Sequence, residues 1–165
     1  MIRGINQDYL RSLIFGFQDA IVSTTGVIVG ISVGVNDKRF IVLSALVTIS
    51  VKAVSMAAGQ YLSEKSVHEL PQNHHRDRLI TGSLVMFFSY IIGGFIPAIP
   101  VMFSPLRYVP ILSVVFALIG LFALGFFKAK FFTGKAWRSA IEMLVIGGLA
   151  TLIGLFTGLI FKIPA

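Results

Sequence analysis

Apolar residues come in five long runs along the chain, separated by short polar interruptions, and these runs set the architecture. They predict helical spans at 13–35, 40–62, 79–103, 109–127 and 141–161, each near the roughly 20 residues that a bilayer core requires. The residues before the first span, with Arg3, Asp8 and Arg11, read as the start of an interfacial helix. Asn36, Asp37, Lys38 and Arg39 mark a turn, and 63–78 a polar loop. Pro97 and Pro100 fall at the end of the third run, where proline either unwinds a helix or terminates it. A basic connection at 128–138 precedes the fifth run, whose start carries Trp137 and Glu142 as interfacial anchors. No internal repeat is visible, and an odd number of spans excludes a simple whole-chain inverted repeat. The expected fold is an all-α membrane protein: one five-helix transmembrane domain over residues 1–165.

Composition strengthens this reading. Of 165 residues, 56% are hydrophobic and 13% charged, and mean hydropathy is +0.88, more apolar surface than a soluble domain of this size can hide. The net charge of +7 is scattered between the apolar runs rather than gathered on one face, which points to membrane topology and away from nucleic acid. With the N-terminus in the cytoplasm, that side collects Arg3, Arg11, Lys65, Arg76, Arg78 and the basic 128–138 connection. The other side holds Lys38, Arg39, Arg107 and Lys162. The bias predicts a cytoplasmic N-terminus and a C-terminus on the opposite side. The first run follows Arg11, contains Asp19 and lacks a small-residue cleavage site, so a retained helix is expected rather than a signal peptide. The chain has no cysteine, which excludes disulfides and thiolate chemistry. No nucleophile–base–orienter pattern or phosphate loop appears, so an enzyme is not expected.

The chemistry concentrates in the first two spans, FGFQDAIVSTTGVIVGISVG and VTISVKAVSMAAGQYLSEKS. An ionisable side chain inside a span is costly and marks a candidate functional site. Asp19 lies eight residues past Arg11, roughly 12 Å of helix rise into the membrane. In the antiparallel second span, Met56 falls at a similar depth, eight residues before Glu64. A carboxylate oxygen with a thioether sulfur suits a divalent transition metal better than magnesium or calcium, although a lone methionine is more often plain packing. Lys52, one turn from Met56, has two readings: a structural ion pair with Asp19, which would also compete with a cation for that carboxylate, or a lysine deprotonated by burial that acts as a proton-linked switch. Ser23 shares the Asp19 face and, with Thr48 and Gln60, is a candidate for the pathway. Glu64, His68, Glu69, His74 and His75 offer a possible cytoplasmic entrance, but their spacing matches no zinc pattern. Gly26, Gly30 and Gly34 form two overlapping G-x-x-x-G steps, equally suited to packing within the chain or between copies.

These two stretches resemble the vacuolar iron transporter family, which includes the yeast vacuolar iron carrier and nodulin-like relatives. Gly16, Asp19, Val22, Ser23 and Thr24 match its first-helix pattern, and Ser55, Met56, Gly59, Tyr61 and Ser63 its second. GGFIPAIPVMF resembles the proline-containing end of the family's third helix. The resemblance implies a homodimeric five-helix carrier, formed through the first two helices, that moves iron(II) and manganese(II) out of the cytosol in exchange for protons. It implies Asp19 and Met56 as metal ligands, with the ion as cargo and no cofactor. The chain departs from the family at Thr48, where characterised eukaryotic carriers have glutamate, at Ala20 and Gln60, and at Lys52, which replaces a small residue. The long cytoplasmic metal-binding insert is absent, making this a short form, expected in a prokaryotic cell membrane. The departures motivate two rivals: a non-transporting scaffold or regulatory protein held by a Lys52–Asp19 pair, and a carrier of another substrate, such as an anion drawn to Lys52.

Overall fold

The computed structural model describes residues 7–68, 79–132 and 136–161. Five helices account for nearly all of them: α1 (Gln7–Gly34), α2 (Lys38–His68), α3 (Leu79–Phe103), α4 (Val109–Phe132) and α5 (Ala136–Ile160). Each is long and apolar enough to cross a membrane, and the chain is an all-α, multi-pass integral membrane protein. Large apolar side chains such as Val51, Leu84, Ile92, Ile119 and Ile153 point outward, as lipid-facing surfaces require.

The sequence signals at the helix ends act as capping chemistry. Asp37 accepts a hydrogen bond from the Arg39 backbone N–H at 2.8 Å, the N-cap arrangement that opens α2. The α2 helix runs on to His68, beyond the expected span end at 62.

Pro97 and Pro100 neither unwind nor end α3, which continues through both to Phe103. They remove the amide donors that would reach the Gly93 and Ile96 carbonyls. Both prolines are buried, together with Ala98 and Val101, so packing holds the helical course where lipid offers no alternative hydrogen bonds. The actual terminator is Pro105, which disfavours helix at Ser104 before it and leads into a 3-10 turn, Leu106–Tyr108.

α1 is the central helix, packed against all four others, while α3 packs against α1, α2 and α4. One core, with Ile28, Ile41, Ile49, Ala98 and Val101, joins α1, α2 and α3 and reaches Val109 of α4. A second, with Ile21, Ala117, Leu121 and Met143, joins α1 to α4 and α5. Along the α1–α5 seam the glycine steps face one another. A Cβ added at Gly154 would lie 2.5 Å from the Gly26 carbonyl oxygen, and one at Gly30 would lie 2.9 Å from that of Gly154. Gly26, Gly30 and Gly34 therefore pack against α5 within the chain, at backbone-to-backbone distance. Asp19 and Lys52 lie on the outer face of α1 and α2, partly exposed.

Candidate metal site between the first three helices

Asp19 on α1 and Lys52 on α2 face each other, with Lys52 Nζ 3.5 Å from Asp19 Oδ2. This is longer than the roughly 2.7–2.9 Å of a close charge-assisted hydrogen bond. The Lys52 side chain is 42% exposed and that of Asp19 33%, so the pair opens onto the surface of the single chain rather than into its core.

The wall behind the pair comes from α3. Tyr90 is fully buried, and its hydroxyl lies 2.6 Å from Ser23 Oγ, one turn along α1 from Asp19. The Asp19 carboxylate is within electrostatic reach of that hydroxyl, and Lys52 Nζ sits 6.0 Å from the centre of the Tyr90 ring. Tyr90, Ala20 and Ala53 form a small core against which Met56 and Phe87 pack. Met56 is thus beside the Asp19 neighbourhood with its stem in apolar contact. Sequence reasoning missed Tyr90. The signal was available, since a tyrosine in the middle of the third span needs a hydrogen-bond partner there.

The other polar residues of the two helices divide by role. Thr25 and Thr48 donate to the backbone carbonyls of Ile21 and Ser44, the usual recourse of hydroxyls inside a helix. Thr48 therefore supplies no carboxylate and has its proton engaged. Thr24 Oγ1 is buried without a hydrogen-bond partner among the described residues. Gln60 donates to the Glu64 carboxylate, which lies against α3 at Gly82. Between Gln60, Arg11, Ser12, Phe15 and Met86 is a cavity of about 150 Å³ at the N-terminal end of α1. Of the expected entrance residues, only Glu64 has a described side chain. Glu69, His74, His75 and the His68 side chain lie outside the described residues.

Among the described residues, no group of three or more histidine, cysteine, aspartate or glutamate side chains converges to hold a metal ion. A single chain therefore presents one carboxylate and one ammonium on an open face. Ser55, Ala58 and Gly59 of α2 continue that face outward, and a Cβ at Gly59 would meet no described atom within 4 Å.

A five-helix membrane bundle with its charged site on the first two spans is the class these features define. A sequence model of the VIT family matches residues 10–79 and 68–159, and the chain belongs to that family. Vacuolar iron transporter 1 of Arabidopsis thaliana is 36% identical over 75 residues, covering 45% of this chain and 30% of the relative. The Eucalyptus grandis protein of the same name is 32% identical over the same length and shares. Vacuolar iron transporter homolog 2 of Arabidopsis thaliana is 25% identical over 168 residues, covering 90% of this chain and 86% of the relative. The matched segment is thus less than a third of the longer relatives. These relatives are plant proteins named for the vacuole, and they lend no support to the expected prokaryotic cell membrane.

Proposed function

We propose that the chain is a carrier of divalent transition metal ions, iron(II) or manganese(II), that moves them out of the cytosol in exchange for protons. The observation that carries this reading is the half-exposed Asp19–Lys52 pair on the membrane-spanning part of α1 and α2. Charges at that depth face protein, water or cargo, not lipid. A second copy of the chain, docked through α1 and α2, would cover the pair and bring a second Asp19 and Met56 to the same place. Two carboxylates and two thioethers then form a donor set suited to a borderline-soft divalent ion, which one chain cannot supply. The N-terminus is cytoplasmic and the C-terminus opposite in this proposal, which rests on the lysine and arginine distribution. The family membership and the names of the relatives support the cargo class.

Transport is tested in proteoliposomes that enclose a dye quenched by manganese(II). Quenching well above the protein-free rate is expected. A rate equal to that of empty liposomes favours the scaffold reading, in which the 3.5 Å pair only joins two helices.

The dimer is tested separately, and the absence of native cysteine makes the experiment clean. A Gly59→Cys variant is expected to form a disulfide-linked dimer in membranes on mild oxidation. An Ile119→Cys variant, on the exposed face of α4, is expected not to cross-link. Equal cross-linking of both variants, or of neither, would count against an α1–α2 interface.

A further inference from the structure

We infer that Lys52 is a tethered competitor for the cargo: its ammonium occupies Asp19 when the site is empty, and an arriving metal ion must displace it. The inference rests on the carrier reading and concerns the affinity of that same site. Two features distinguish a displaceable ammonium from a structural staple. The contact is loose, at 3.5 Å, whereas a buried pair that holds helices together needs close, fully hydrogen-bonded geometry. The Lys52 side chain is 42% exposed on a four-carbon stem, so it can swing without disturbing the core. In the same position Nζ lies 6.0 Å from the Tyr90 ring centre, at the limit of the range where an aromatic face attracts a cation.

Tyr90 is itself fixed, fully buried and hydrogen-bonded to Ser23. The ring therefore does not move when the ammonium does. A divalent ion that binds both Asp19 carboxylates of a dimer must dislodge two ammonium groups. Weak or singly charged ions gain too little from the carboxylates to do so. Lys52 thereby lowers metal affinity and raises the threshold for occupancy.

The test is direct binding of manganese(II) to the full chain in nanodiscs, read from loss of the free-ion paramagnetic resonance signal. Lys52→Met keeps the stem and removes the competitor, and it is expected to bind roughly tenfold or more tightly than wild type, a shift of about 1.4 kcal/mol. Lys52→Arg is expected to bind more weakly than wild type, because a planar guanidinium can grip a carboxylate with two donors. The expected order is therefore Met above Lys above Arg. A structural staple predicts the reverse for methionine, because an unpaired Asp19 would loosen the site. Equal or weaker binding by a folded Lys52→Met variant would overturn the inference while leaving the carrier reading intact. Should that variant fail to fold, Lys52→Arg binding as tightly as wild type would overturn it equally. No binding by wild type or either variant would remove both the inference and the carrier reading.

Discussion

A Gly154→Leu variant is expected to lose the folded bundle. The position of its Cβ is set by the α5 backbone, 2.5 Å from the Gly26 carbonyl oxygen and 2.9 Å from the Gly26 Cα. Both obstacles are backbone atoms of α1, so no side-chain rotation can relieve the clash. The helices must separate along the seam where Gly26, Gly30, Gly154 and Gly158 meet. Overpacking a well-packed core costs about 1–3 kcal/mol, and a rigid backbone obstacle places this change at the upper end or above it. In lipid the separation is not offset by hydrophobic burial elsewhere, because the tails are as apolar as the side chains. Thermal unfolding followed by circular dichroism in detergent measures the effect, with Gly148→Leu as the control. A Cβ at Gly148 meets no described atom within 4 Å, so that variant is expected to keep wild-type stability. Unfolding of Gly154→Leu at the wild-type temperature would contradict backbone-to-backbone packing of α1 against α5.

The same seam shows what a membrane sequence discloses and what it withholds. Length and apolarity gave five spans at once, because a helix crossing lipid must satisfy its own backbone and needs a fixed length to do so. The turn at Asp37 was equally readable, since it is local chemistry. The partner of the Gly26–Gly34 stripe was not readable. Small residues every four positions state that something approaches closely, but not whether it is α5 or a second copy. Gly154 and Gly158 repeat the same spacing on α5, a complementary stripe that the sequence contains and that only the packing pairs with the first.

At the candidate site the limit was similar. Asp19 and Lys52 stood out because charge inside a span is conspicuous, and helix rise counted from Arg11 and Glu64 puts Asp19 near the Met56 level. The 3.5 Å separation, the outward opening and the Tyr90 wall depend on how α3 lies behind α1 and α2, which no single span encodes. Pro97 and Pro100 were ambiguous for the same reason. A proline's local preference is to break a helix, and burial against neighbouring helices decides otherwise.

Asp19 is the residue on which the carrier reading turns. Asp19 is the ionisable group on α1 nearest the open face, and Thr48 cannot replace it, with its hydroxyl engaged by the Ser44 carbonyl. Removing the carboxylate leaves a metal ion only thioether and hydroxyl donors, which cannot neutralise a divalent charge away from bulk water. It also leaves the Lys52 ammonium in place as a repelling charge. The measurement that decides is initial manganese(II) flux into proteoliposomes for wild type and for Asp19→Ala, at matched levels of folded protein. The carrier account predicts a loss of about a hundredfold or more, down to the protein-free leak, as expected when the charged ligand of a bound ion is removed. Wild-type flux through Asp19→Ala would contradict it.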